Sequence, residues 1–282
     1  MSWRPIATSP PERGLFSFVA TALRDDARME DFVPRALADA VRDARDIAVL
    51  TGAGMSAESG VATFRDAMHG LWARFDPQQL ATPAAWRADR ASVWAWYEWR
   101  RAQVMRAQPH AGHRALATLA ATRRLRIVTQ NVDDLHERAG SPADAIAHLH
   151  GSLLAPRCDR CGTHGAFADV QPAADDPPAR IEPPACAHCA TGRLRPGVVW
   201  FGEGLPAEAW QKAEEAVEAA DLVLVVGTSN LVYPAAGLPL LAKRLGKFVA
   251  EVNPVASPLS EHADLHWAVG AAAGLAALAV PA

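Results

Sequence analysis

The chain has 282 residues, 50% of them hydrophobic and 21% charged, with 28 basic and 31 acidic side chains for a formal net charge of −3. This composition excludes wholesale disorder; no apolar run approaches the roughly 20 residues of a membrane span, and without a basic excess a dedicated nucleic-acid binder is not expected. The length allows one sizeable core plus a smaller module that needs help to stand alone.

Residues 1–30 mix Pro and Arg with a short apolar patch (Leu15, Phe16, Phe18, Val19) and are read as an extension. They lack the cationic start, apolar core and small-residue cleavage site of a secretory signal. Asp25, Asp26, Glu30 and Asp31 speak against a transit peptide, so a reducing cytoplasm is expected. The spacing of Leu37, Ala38 and Val41 predicts a helix over 32–45, leading into a buried strand at 47–50. Further apolar runs at 126–128, 146–149, 222–226 and 248–252 read as strands, with helices over 112–123 and 206–220, the latter opening on Pro206. Continuously apolar strands alternating with helices predict an α/β fold, a Rossmann-like doubly wound parallel sheet built from 31–67, 109–157 and 196–282. Two segments break the rhythm: an aromatic helical insertion at 68–108 and a Pro-rich one at 158–195. Both are assigned to a small domain, the second carrying all four cysteines of the chain.

The first strand runs directly into Thr51-Gly52-Ala53-Gly54-Met55-Ser56-Ala57-Glu58-Ser59-Gly60. Glycines at 52 and 54 permit a tight turn and close approach of backbone amides to a pyrophosphate. A dehydrogenase would continue into a second strand ending in an acidic residue that holds the ribose. Here the chain runs instead through Gly60-Val61-Ala62-Thr63-Phe64-Arg65-Asp66 into Gly-Leu-Trp, which argues against hydride transfer. Gln130-Asn131-Val132-Asp133, His148-Leu149-His150-Gly151, Gly227-Thr228-Ser229 and Asn253-Pro254 follow other strands, where open α/β sheets bind ligands. His150 is a candidate general base, because imidazole titrates near working pH.

The four cysteines form two pairs, Cys158/Cys161 and Cys186/Cys189, separated by 24 residues. Two CxxC knuckles suit one tetrahedral Zn²⁺, and four thiolates leave no open position for a reacting water, so the metal is structural. His164 and His188 are nearby alternative ligands. The metal would hold a Pro-rich segment that has little core of its own.

Taken in order, Gly52 to Arg65, Thr129 to Asp133, His150-Gly151, the two CxxC pairs, Val199 to Glu203 and Gly227 to Ser229 resemble the sirtuin family, NAD-dependent protein-lysine deacylases. The resemblance runs from about residue 45 to the C-terminus; Met55, Ala62 and Val132 depart mildly from its usual pattern without removing a functional group. It implies that Gly52, Ala53, Gly54, Ser56, Ala57 and Glu58 cradle the pyrophosphate of NAD. Phe64 and Arg65 would lie in a loop over the nicotinamide ribose. Gln130, Asn131 and Asp133 would meet that ribose and the carboxamide, and Gly227, Thr228, Ser229, Asn253 and Ala271 would border the adenosine. His150 and Asn131 would be catalytic, and acylated-lysine proteins the partners; the oligomeric state is left open, with a monomer favoured. Tyr97 and Arg100, three apart and so on one helical face, resemble the branch that removes succinyl and malonyl groups. Ala81, Val199, Trp200 and Phe201 would complete the acyl-lysine site; Arg101 points about 100° away round the helix. A plain deacetylase, a mono-ADP-ribosyltransferase or a non-catalytic NAD sensor on the same scaffold are the alternatives.

Overall fold

A computed structural model describes residues 33–61, 80–167 and 180–279. Eight strands are present among them: β1 (Asp46–Thr51), β2 (Arg124–Thr129), β3 (Ile146–His148), β4 (Gly151–Cys158), β5 (Leu194–Val198), β6 (Leu222–Val226), β7 (Phe248–Val252) and β8 (Leu265–Trp267). All but β4 and β5 join one parallel sheet in the order β3-β2-β1-β6-β7-β8. The predicted doubly wound sheet is therefore present, and its order reverses between β1 and β6. At such a reversal the connections leave in opposite directions and open a crevice beyond the carboxyl ends of the strands.

Strand β1 is buried at all six positions and β6 at all five. Successive side chains feed opposite faces: Ile47 and Val49 pack in one apolar cluster with Leu37, Leu116 and Leu275. Ala48 and Leu50 pack in the other, with Val217 and Leu238. The helices that cover these faces and the crevice are α1 (Arg35–Asp43), α2 (Ala53–Ala57), α3 (Pro83–Ala88), α4 (Arg90–Arg106), α5 (Ala111–Ala120), α6 (Leu135–Arg138), α7 (Ala207–Ala219), α8 (Gly237–Arg244) and α9 (Ala271–Leu278). No described helix is long and apolar enough to cross a membrane.

Several boundaries move relative to the sequence expectation. Helix α1 begins only after Pro34, and Pro206 caps α7 from just outside its first turn. Strand β3 stops at His148, which places His150 in the turn leading to β4. Strand β8 and helices α8 and α9 carry no periodic signature and were not expected. Neither was the antiparallel hairpin of β4 and β5, paired from Gly151↔Val198 to Cys158↔Leu194.

The two inserted segments share one apolar cluster. Trp86, Trp94, Trp96 and Trp99 from α3 and α4 pack with Leu153, Leu194 and Val198 of the hairpin and with Trp200. Polar ties reinforce the contact: Asp89 caps α4 through the Ser92 amide and also takes Arg180, while the Ile181 amide donates to the Ala91 carbonyl.

Candidate active site

A cleft of about 700 Å³ opens at the carboxyl ends of the central strands. Gly52, Ala53, Gly54 and Ser56 reach it from β1, Gln130, Asn131 and Asp133 from β2, Gly227, Thr228 and Ser229 from β6, and Asn253 from β7; His150 lines it too. Motifs far apart in sequence thus meet at one lip. Phe64 and Arg65 lie outside the described residues. Ala57, Glu58, Trp200 and Ala271 do not line the cleft. Glu58 instead caps α9, its carboxylate accepting the Ala272 amide at 3.0 Å.

Two glycines explain how closely the lips approach. A Cβ on Gly54 would lie 2.7 Å from the Gly227 carbonyl oxygen, and one on Gly227, whose φ is +58°, 2.4 Å from the Met55 amide nitrogen. Backbone therefore packs on backbone, and the Gly54 amide donates to the Gly227 carbonyl at 2.7 Å. Such a surface admits a pyrophosphate where side chains would exclude it. The residues present fit a bound dinucleotide.

Below this cradle the polar groups are tied together. The Asn131 Nδ2 donates to the Gly52 carbonyl and to Ser56 Oγ, both at 3.0 Å, and Ser56 Oγ donates to Asp133 at 2.8 Å. Burial raises the Asp133 carboxyl above its ordinary value, against the Ser56 hydroxyl and Leu135 amide that favour its charge. Gln130 Nε2 donates to Thr228 Oγ1 at 3.1 Å, and Asn253 Nδ2 to the Thr228 carbonyl at 3.0 Å. Beneath Asn253 the fully buried Glu251 accepts from Asn230 Nδ2, Ser257 Oγ and Ser260 Oγ, which anchors the loop bearing Val255 to Pro258.

His150 has a determined tautomer. Its Nδ1 lies 3.0 Å from the Gln130 carbonyl oxygen, which can only accept, so Nδ1 carries the proton and Nε2 is left as a base. Burial lowers its pKa, keeping the ring neutral near pH 7. His148 differs: although burial opposes it, the Glu137 carboxylate at 2.7 Å raises its pKa, and its Nδ1 faces the Asn131 carbonyl at 3.2 Å.

Ala81, Tyr97, Arg100, Val199 and Phe201 also line the cleft, with the glycine loops. The Tyr97 hydroxyl accepts Trp200 Nε1–H at 2.9 Å, so its own proton remains available to another acceptor, and burial raises its pKa. Burial lowers the pKa of the Arg100 guanidinium, opposed by Tyr97 and Asp133. Arg101 takes a different path, pairing with Glu98 at 2.7 Å and lying 3.8 Å over the Phe167 ring. Trp200 thus acts behind Tyr97 rather than on the cleft surface.

At the far end of the hairpin the sulfur atoms of Cys158, Cys161, Cys186 and Cys189 all lie within 4.8 Å of one another. The Cys158–Cys189 and Cys161–Cys186 pairs are 3.7 Å apart. Tetrahedral Zn²⁺ with Zn–S bonds of about 2.3 Å requires sulfurs about 3.8 Å apart, so the set fits that ion. Backbone amides of Arg160 and Cys161 donate to the Cys158 sulfur, and that of Gly192 to the Cys189 sulfur, as a thiolate set requires. His164 and His188 lie outside the cluster.

Some cleft residues had no motif to announce them. Val104 lies one turn beyond Arg100 on the same helical face, a spacing that sequence alone could have supplied. Glu251, which lies beneath the cleft without lining it, is the one acid of β7, a signal of a partnered buried charge. Leu231, Val232 and Val255 left no signal, since their place at the mouth follows from loop packing.

The sequence profile of the Sir2 family matches residues 52–234. A Methylococcus capsulatus protein named NAD-dependent protein deacylase is 52% identical over 233 residues, 82% of this chain and 90% of its own length. NAD-dependent protein deacylase 1 of Pseudomonas aeruginosa is 52% identical over 242 residues, 84% and 94% of the two chains. Among solved structures, a Sir2 homolog–NAD complex superposes with a TM-score of 0.78 at 42% identity, covering 87% of this chain and 92% of its own. With the doubly wound sheet, the interlocked glycine loops and the four-cysteine cluster already in place, these likenesses establish that the chain belongs to the Sir2 family.

Proposed function

We propose that the protein is an NAD-dependent protein-lysine deacylase that prefers succinyl- and malonyl-lysine, with weaker activity on acetyl-lysine. The observation that carries this reading is the meeting, in one cleft, of the glycine cradle, a neutral His150 with a basic Nε2, and the Tyr97–Arg100 face. Relatives about half identical in sequence are named for NAD-dependent deacylation, and a solved relative holds NAD. When bound, NAD would supply a ribose that takes the acyl group as nicotinamide leaves and one water is consumed, giving free lysine and O-acyl-ADP-ribose.

The chain's own residues divide the remaining work. Gly52, Ala53, Gly54 and Ser56 hold the pyrophosphate, and Gly227, Thr228, Ser229 and Asn253 border the adenosine. Asn131, Gln130 and Asp133 orient the nicotinamide ribose and carboxamide. His150 Nε2 takes a proton from a ribose hydroxyl, while the Gln130 carbonyl holds the imidazole orientation and favours the cation that forms. Arg100 offers charge-assisted donors and Tyr97 its phenolic proton to a distal carboxylate, a group that acetyl-lysine lacks. Exposed apolar side chains at the mouth, among them Phe201, Leu231 and Val255, suit an extended protein segment carrying the modified lysine. Zn²⁺ on the four cysteines holds the hairpin end, away from the reaction.

The test is purified protein with NAD and matched acetyl-, malonyl- and succinyl-lysine peptides, followed by nicotinamide release. Faster release with the two acidic peptides is expected. No release with any peptide would refute deacylation, and equal or faster release with acetyl would refute the acidic preference.

A further inference from the structure

Helix α2 ends after five residues, so its carbonyls must find partners elsewhere. The amides of Ser59 and Val61 donate to the Ser56 carbonyl and that of Gly60 to Ala57. The fully buried Met55, between Gly54 and Ser56 of the cradle, directs its carbonyl instead to an imidazole: His110 Nε2 lies 2.6 Å away. The ring's other nitrogen, Nδ1, accepts the Gly112 amide at 2.9 Å, where it caps α5. An accepting Nδ1 places the ring proton on Nε2, so a single neutral tautomer serves both contacts.

The surroundings leave this ring little freedom. His113 Nδ1 faces the His110 amide at 3.4 Å, and the two rings lie 4.1 Å apart. A Cβ on Gly112 would come 2.8 Å from His110 Cε1 and 2.5 Å from the Ala271 carbonyl oxygen. Glycine there lets α5, α9 and the imidazole close on the back of the cradle. The remaining ties of the cradle run to the sheet side, from Gly52 to Val226 and Asn131, from Gly54 to Gly227, and from Ser56 to Asn131 and Asp133. His110 alone among these ties reaches it from α5.

We infer that His110 is a positioning residue for the dinucleotide: through the Met55 carbonyl it holds the Gly52–Ser56 cradle in its binding conformation. It touches neither cofactor nor acyl group, so it sets affinity for NAD and not the rate of the bound complex. The inference rests on the proposal that NAD occupies this cleft.

Two substitutions separate the two contacts. His110→Asn keeps an acceptor near the Nδ1 position for the Gly112 amide but is too short to reach Met55. His110→Gln keeps a donor near the Nε2 position and loses the cap. Calorimetric titration with NAD should show Kd raised about tenfold in His110→Asn, the weight of one net hydrogen bond to a buried carbonyl. Its melting temperature should also fall, because the buried Met55 carbonyl loses its partner, and KM for NAD should rise with kcat at saturation retained. His110→Gln should bind NAD like wild type while melting lower. Equal Kd in wild type and His110→Asn would overturn the inference, as would equal weakening in both variants or a loss confined to kcat. Wild-type protein that fails to bind NAD at all would overturn the functional proposal first, and this inference with it.

Discussion

Replacing Arg100 with Met tests the acyl preference most directly. Arg100 is half-buried beside Tyr97, and burial already disfavours its charge, so a carboxylate that reaches it meets a partly desolvated cation. A charge-assisted hydrogen bond is worth about 1.5–3 kcal/mol, and about 1.4 kcal/mol is a factor of ten. Desuccinylation by Arg100→Met, read as kcat/KM, should therefore fall on the order of tenfold to a hundredfold. Met keeps an unbranched stem beside Trp96, whose ring centroid lies 5.1 Å from the guanidinium carbon, so packing is largely kept. Deacetylation should change by less than about threefold, since an acetyl group leaves no carboxylate unpaired. Tyr97→Phe should follow the same selectivity but also melt lower, because it strands the buried Trp200 indole N–H, at a cost of about 1–3 kcal/mol. The assay is nicotinamide release from matched succinyl and acetyl peptides, wild type against variant. Equal losses on both peptides would mean that α4 merely packs here, and the acidic-acyl reasoning would fail.

Three further outcomes are expected. His150→Ala should abolish deacylation while NAD titration shows affinity near wild type; and because burial lowers the His150 pKa, the acid limb of the wild-type rate profile should lie below about pH 6.5. Near-normal turnover in the variant would show that another group is the base. Cys186→Ser should release the metal and lower the melting temperature, and native protein without stoichiometric zinc would refute the structural site. His113 and His136, held by burial at about 2 and about 4, are neutral in the fold but bind protons once unfolded. Their folded pKa values lie below the unfolded one, so the stability they carry is present above about pH 6.5 and lost towards pH 4. Between about pH 7.5 and pH 5 each should remove about 2 kcal/mol from the unfolding free energy, and urea titrations that agree at the two pH values would refute this.

The parts of the site legible in sequence are those whose chemistry is local. A CxxC knuckle brings two thiols together by its own turn, and glycines at 52 and 54 behind an apolar strand permit a tight turn that leaves backbone amides open to a phosphate. The strands of the main sheet announced themselves by continuous apolar runs, because a parallel sheet buries both faces. That Tyr97 and Arg100 share one helical face was legible from their spacing, while a role for them on the acyl group was implied only by the family resemblance. Strand β8 was not, because Leu265–Trp267 is too short to show a period and exists through its pairing with β7. The hairpin was hidden by the Pro-rich segment that separates its strands.

What remained was settled by side chains from distant segments competing for the same polar atoms. Glu58 follows the glycine loop directly, yet its carboxylate satisfies the Ala272 amide at the start of α9 and lies outside the cleft. Arg100 and Arg101 are adjacent cations of one helix; only the positions of Glu98 and Phe167 on one side and of Tyr97 and Asp133 on the other give them different tasks. The tautomer of His150 was fixed only once the Gln130 carbonyl stood 3.0 Å from its Nδ1. His110 carried no motif at all; its contact with Met55 joins residues 55 positions apart. Residue type and short spacing dictate which chemistry a segment can offer, since both act within a turn or two of chain. Which donor meets which acceptor depends on how the helices close on the sheet, because a buried polar group takes the partner that packing brings within about 3 Å.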